Sequence, residues 1–209
     1  MLKRPNFIPG DWGRLQTPIA YTPRQVEHLA RNLLAEMTLE EKIDQMTGAL
    51  GVLEGILEFI RHSYNWKPYT AGENPRLGIP GLRFTDGPRG IVSGSCTAFP
   101  CSMARAAAWD TPLEEQVGDA MGVEGRSVGA NFFGGVCINL LRHPAWGRAQ
   151  ETYGEDPHLL GEMGAALVRG VQRHMLACVK HYACNSIENV RTRVNVKISQ
   201  RALREVYLP

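Results

Sequence analysis

Apolar residues follow two rhythms along this chain. From Arg24 to Met37 they recur at Val26, Leu29, Leu33, Leu34 and Met37, the spacing of one face of a helix. Thr38-Leu39-Glu40-Glu41 fits a capping box, in which the threonine hydroxyl accepts from the helix N-terminus and Glu41 reaches back. It predicts a second helix with Leu39, Ile43 and Met46 on one face, followed by Gly48 and Gly51. Gly51 to His62 is amphipathic again, and Ser63 to Pro75 reads as a loop carrying Tyr64, Trp66 and Tyr69. Short apolar runs then take over. Leu82 to Thr85 reads as a strand broken by the turn chemistry of Asp86-Gly87-Pro88. Thr97 to Ala104 reads as a strand and loop, Val136 to Leu141 as a buried strand, and Met175 to Val179 as another. Helices are expected between them. One starts at the capping box Thr111-Pro112-Leu113-Glu114 and ends by Gly125 or Val128; the other is capped by Asp156, has Pro157 just inside, and runs to His174. A short alternating run, Val194 to Ile198, precedes a helix begun at Ser199.

Strands joined by helix-length crossovers imply a parallel sheet and an α/β fold. Residues 1–23, rich in Pro and Gly, read as an extended arm on the surface of a domain that occupies 24–209. The segment Arg142 to Pro157 is polar and too long for a turn, which marks it as a loop with a task.

Composition narrows the field. The chain has 209 residues, 44% of them hydrophobic, enough for a sizeable core. A net charge of +2 without long runs of one sign leaves no electrostatic footprint for nucleic acid or a membrane surface. No run approaches the roughly 18 apolar residues of a membrane span, and the N-terminus lacks a signal-peptide core, so a chain starting at Met1 is expected in the cytoplasm. The five cysteines are Cys96, Cys101, Cys137, Cys178 and Cys184. Their odd number, and the apolar strands around Cys137 and Cys178, favour reduced buried thiols over a disulfide framework.

In parallel α/β folds, ligands meet the loops at the C-terminal ends of the strands. Asp86, Arg148 and the pair Lys180-His181 all fall there, on three separate expected strands. One carboxylate acceptor, a guanidinium fork and an ammonium suit a neutral polyol such as a sugar. No Gly-x-Gly-x-x-Gly or Walker loop follows any strand, which argues against a nucleotide. Bland readings stand beside these. Asp86 is also a turn residue, Arg148 a partner for Glu151 or Glu155, and His181 a core histidine. Lys180 and His181 share a face only if the strand ends there. Trp146 either stacks on a sugar or packs its loop. Cys178, His181 and Cys184 lack the paired spacing of a zinc site, so no metal is expected.

Taken together the motifs resemble glycoside hydrolase family 3, the β-glucosidase and β-xylosidase family. The likeness runs from Val26 to Pro209. It rests on Met37-Thr-Leu-Glu-Glu-Lys-Ile, Arg76-Leu-Gly-Ile-Pro-Gly, Thr85-Asp-Gly-Pro-Arg-Gly, Trp146-Gly-Arg with Glu151-Thr-Tyr-Gly-Glu-Asp-Pro, Lys180-His-Tyr and Arg201-Ala-Leu-Arg-Glu-Val-Tyr-Leu-Pro, in the family's order. The resemblance implies a (β/α)8 barrel, TIM-like or a variant, whose strand ends hold the non-reducing terminal sugar. It implies that Asp86, Arg148, Lys180 and His181 bind that sugar, with Arg191 matching a further arginine. His143-Pro144-Ala145 stands where the family commonly has Asp-Pro-Arg, as in a subgroup. Tyr182-Ala183-Cys184-Asn185 departs from the family's N-acetylglucosaminidases and points to a glucosidase or xylosidase.

A retaining glycosidase needs two carboxyl groups about 5 to 5.5 Å apart. The family's nucleophile is an aspartate in a Ser-Asp-Trp-like motif beyond the Lys-His strand, and the acid/base glutamate lies in a second α/β domain. Neither has a counterpart here, since Asp11-Trp12 precedes the barrel. The expectation is therefore the first part of a barrel, truncated before closure, with the remaining barrel and the second domain absent and catalytic residues none in this chain. The expected activity of the whole is release of terminal β-D-glucosyl or xylosyl residues with retention, from small-molecule or oligosaccharide β-glycosides and without a cofactor. The alternative is a non-catalytic sugar-binding or scaffold protein. The unclosed sheet edge would invite aggregation.

Overall fold

The computed structural model describes residues 21–62 and 65–209; most of the expected N-terminal arm lies outside them. The chain forms two compact units, whose described residues are 21–62 with 69–83, and 65–68 with 84–209.

The first unit opens with α1 (Pro23–Glu36) and α2 (Leu39–Asp44). Both carry complete capping boxes, Thr22 with Gln25 and Thr38 with Glu41, so the second is where the sequence places it. Arg76 clamps Glu41 through Nε (2.6 Å) and Nη2 (2.5 Å) and also donates to the Glu36 carbonyl. That clamp and the Thr38 backbone amide hold the Glu41 carboxyl down to about 2. α3 (Val52–His62) follows, and then β1 (Tyr69–Ala71), which falls inside the stretch expected as loop. The Thr70 carbonyl accepts from Ala49 at 2.9 Å, so a backbone partner outside the local sequence makes this strand.

The second unit carries the sheet that positions the site. β2 (Leu82–Thr85) enters it at Phe84, and β3 (Phe132–Cys137) and β4 (Leu176–Lys180) follow, all parallel. Between them come α4 (Ser102–Ala106) and α5 (Thr111–Ser127), then α6 (Pro157–Val171). Phe133 and Val136 of β3 pack with Met121, Leu167 and Val171 in one core cluster. Leu140, Tyr153, Leu160 and Met163 form a second cluster beneath the long loop. β4 pairs with β3 and, among the described residues, with no other strand; the sheet is open, a partial barrel. Leu176 and Val179 on this edge are about half exposed, at 54% and 47%.

Several boundaries differ from expectation. β3 starts at Phe132 and ends at Cys137, so Asn139 to Leu141 lie past the strand. Gly134 and Gly135 read as a lead-in, yet they are inside it, where the rings of Phe84 and Phe133 occupy the space that side chains would fill. No strand forms over Thr97 to Ala104. Cys101 is instead the N-cap of α4, whose Ser102 and Ala106 are small and buried. The cap of α5 is Asp110, whose Oδ1 accepts from the Leu113 amide at 2.9 Å, and Thr111 is already helical. Asp156 caps α6 as expected. Ser199 caps α7 (Gln200–Ala202), which continues as a π turn, Leu203–Tyr207. All five cysteines are free, and Cys137 alone among them is buried; Cys178, expected to be buried, is only partly so. No helix among the described residues is long and apolar enough to cross a membrane.

Candidate functional site

The ends of β2, β3 and β4 point the same way, and the expected residues gather there. Asp86 leaves β2 directly after the buried Thr85, whose hydroxyl shares a hydrogen bond with Ser93 (3.0 Å). The next residue must be glycine. Gly87 has φ +126°, and a Cβ there would lie 1.7 Å from the Gly90 carbonyl oxygen. Gly87 N–H turns back to donate to Asp86 Oδ1 at 2.8 Å, and Gly90 N–H donates to the Gly87 carbonyl at 3.1 Å, so the loop fixes its own carboxylate.

Arg105 holds the same loop from below. Its Nη2 donates to the Pro88 carbonyl at 3.0 Å and its Nη1 to the Pro100 carbonyl. Its Nε and Nη2 donate to the two oxygens of Glu114, at 2.8 and 3.1 Å. Glu114 Oε1 also accepts from the Tyr153 hydroxyl at 2.6 Å. Glu114 is 1% exposed and Tyr153 2%. Burial, with the Glu114 charge beside it, pushes the Tyr153 phenol well above its ordinary range. Arg105 on α4, Glu114 on α5 and Tyr153 thus tie the Asp86 loop to the loop after β3.

That second loop carries Arg148. Its Nε and Nη2 donate to Glu151 Oε1 (2.8 Å) and Oε2 (2.7 Å), a bidentate fork that sets the plane of the guanidinium. Of the two carboxylates the sequence offered it, Glu151 is the partner. Trp146 is buried, and its Nε1–H donates to Glu188 Oε1 at 3.1 Å; it packs the loop. Arg191, more than half exposed, donates from Nη1 to Glu188 Oε2 at 2.9 Å and so lies on the outer side of that carboxylate.

β4 ends at Lys180, whose Nζ donates to Asp86 Oδ1 at 2.6 Å across the width of β3. The Lys180-His181 peptide bond is cis, as is Tyr182-Ala183. Because β4 ends at Lys180, the alternation of a strand does not force Lys180 and His181 onto opposite faces. Asn139 Oδ1 accepts from His181 N at 3.0 Å and from Nδ1 at 2.8 Å. Burial first, then the cations of Arg148 and Lys180, push the imidazole down to about 4, against the opposing pull of Glu151 and Asp86. One ring feels all four charges, which brings Asp86, Arg148, Lys180 and His181 into one cluster. Cys137 lies beside it, 3.9 Å from Nδ1, with its thiol pushed up by burial to about 11, so it is no thiolate nucleophile.

This cluster keeps hydrogen-bonding capacity in reserve. Asp86 Oδ1 is engaged twice while its carboxylate retains acceptor capacity on Oδ2, and Lys180 Nζ uses one of three hydrogens. Next to it, an apolar cleft of ≈ 260 Å³ is lined by Ile138, Leu160, Val179 and Tyr207. Lys180 and His181 reach its rim, but Asp86 and Arg148 do not line it, and its chemistry is that of an open sheet edge. Among the described residues no three His, Cys, Asp or Glu side chains are grouped to hold a metal ion.

Three positioning elements escape a reading of the sequence. Glu114 and Arg105 look like surface charges on helices, and Asn139 is a single polar residue inside an apolar run. Only that interruption signals a task.

Known proteins place the chain. Residues 60–209 match the Glycosyl hydrolase family 3 N terminal domain. Beta-glucosidase BoGH3A of Bacteroides ovatus is 36% identical over 93% of this chain, and Probable beta-glucosidase I of Emericella nidulans 38% over 84%. The chain spans only 26% and 20% of their respective lengths. Beta-glucosidase 3B from Thermotoga neapolitana, solved in complex with glucose, superposes with a TM-score of 0.77 at 37% identity, over 85% of this chain and 26% of that one. DesR, a beta-glucosidase from Streptomyces venezuelae solved with D-glucose, does so with 0.76 at 34%, over 90% and 23%. The open sheet is thus part of a TIM-like barrel, and the chain belongs to glycosyl hydrolase family 3.

Proposed function

We propose that this chain supplies the sugar-binding strand ends of a hydrolase that releases terminal β-D-glucosyl residues from the non-reducing end of β-glucosides. The observation that carries the reading is the meeting of Asp86, Arg148, Lys180 and His181 at the ends of three adjacent parallel strands, held by Gly87, Glu151 and Asn139. Asp86 accepts from sugar hydroxyls, while Lys180 and the Arg148 fork donate to them. Arg191, beyond Glu188, forms the outer rim. The names of the relatives, and the glucose held by two of the similar structures, support glucose as the sugar.

Asp86 is a binding group in this reading: Lys180 Nζ and the Gly87 amide hold its Oδ1, which leaves Oδ2 to accept from a sugar hydroxyl. Retention by double displacement would draw its two carboxyl groups from elsewhere in the whole protein. Calorimetric titration with glucose tests the subsite. Asp86→Asn is expected to weaken binding by about 1.5 to 3 kcal/mol, roughly 10- to 150-fold, the worth of hydrogen bonds to a charged group. Unchanged affinity in that variant, or preference for an acidic or phosphorylated ligand over glucose, would overturn the reading.

A further inference from the structure

His181 can present either a donor or an acceptor to a sugar, and the residues around it decide which. Asn139 is mostly buried, and its amide is pinned at both ends by groups with no choice of role. The main-chain N–H of His181 can only donate, so the Asn139 atom 3.0 Å from it is the oxygen. The main-chain carbonyl of Asn185 can only accept, so the atom 2.7 Å from it is the nitrogen. A flipped amide would set donor against donor and acceptor against acceptor. The same fixed oxygen lies 2.8 Å from His181 Nδ1, and since it carries no hydrogen, Nδ1 must carry one. The Asn139 main chain is held as well, because the Thr152 hydroxyl donates to its carbonyl from the loop that bears Arg148.

We propose that Asn139 is a positioning residue that fixes His181 as the neutral Nδ1–H tautomer, leaving Nε2 bare as an acceptor for one sugar hydroxyl. The charged groups facing the ring are Arg148 and Lys180 against Glu151 and Asp86. The two cations disfavour a second proton on Nε2. The subsite then has two acceptors, Asp86 and His181, beside two donors, Lys180 and Arg148. A hydroxyl at His181 must give its hydrogen to the ring, and a group that only accepts does not fit there. The second half of this proposal, the hydroxyl, rests on the sugar-binding reading above; the tautomer does not.

Nitrogen-15 NMR of the histidine side chains in the 209-residue protein at neutral pH tests the tautomer with no sugar present. The expected result for His181 is a protonated Nδ1 and an unprotonated Nε2. A proton on Nε2 would overturn the proposal. Monofluoro and monodeoxy glucoses then test the acceptor. At one ring position both analogues should bind about tenfold more weakly than glucose, because fluorine cannot donate. In Asn139→Asp, whose carboxylate favours the imidazolium, the fluoro analogue at that position should recover over the deoxy one. A merely structural role for Asn139 would lower all three affinities together. Fluoro analogues that bind like glucose at every position would also overturn the proposal. If the wild-type protein binds no glucose at all, the proposed function fails, while the nitrogen shifts still decide the tautomer.

Discussion

Two ion pairs meet at the Asp86 loop, and they have opposite designs. Arg105 and Glu114 are 6% and 1% exposed, and their charges are spent inside the protein on each other, on Tyr153 and on the carbonyls of Pro88 and Pro100. Lys180 and Asp86 are 14% and 27% exposed, with one direct bond and capacity to spare. A buried pair satisfied on every side can only hold structure, because a ligand would have to displace a partner. A pair at the mouth of the strands, already paid for by the fold but not saturated, can hold a ligand. The difference lies in the number of partners rather than in residue type.

The contrast breaks most visibly at its buried end. Glu114→Ala leaves the Arg105 guanidinium buried without its counter-ion and should destabilise the protein by about 3 to 5 kcal/mol, read as a lower urea midpoint. Tyr153→Phe removes one donor to the same carboxylate and should lower stability by about 1 to 3 kcal/mol. By contrast, Asp86→Asn should move the urea midpoint by no more than about 1 kcal/mol, as expected for a pair open to solvent. A loss in Asp86→Asn as large as in Glu114→Ala would erase the distinction.

A separate effect is on pH dependence. His181 titrates near 6.5 in an unfolded chain and about 4 in the fold. Between those values the unfolded state holds more protons, so the histidine's contribution to stability is complete above the upper value and is lost as the solution is acidified toward the lower one. Urea midpoints measured across that window should fall less steeply with acid in His181→Gln. Equal slopes would mean that the ring is not held neutral.

The clustered residues at the strand ends were legible because turn chemistry and strand endings are local. Asp-Gly-Pro stops β2, and the irregular sequence after Tyr182 stops β4, so Asp86, Lys180 and His181 could be placed without knowing their neighbours. Their chemistry suggested a polyol such as a sugar, and the resemblance added the family. What holds these residues was not legible, because each support pairs residues far apart in the chain. Glu114 meets Tyr153, and Asn139 meets His181 and Asn185. In sequence Glu114 is one more acidic residue in a first helical turn. Strand boundaries failed where packing overrides local preference. Two glycines read as loop became the middle of β3, since the rings of Phe84 and Phe133 need the room.

Those glycines also set a phase. Phe133 pairs with Ala177, but Val136 pairs with Val179, so β3 spends one more residue than β4 over the same interval. Phe133 and Val136 are an odd number of residues apart, yet both belong to one core cluster. Alternation is reset by one step across Gly134-Gly135. Everything downstream inherits that offset, including the pairing of Cys137 with Lys180 and the place of Asn139 beside His181. Straightening the bulge with both glycines kept, so that each residue of β3 met one of β4, would act within the sheet as a frameshift acts within a gene: the later residues would keep their identities and exchange their sides.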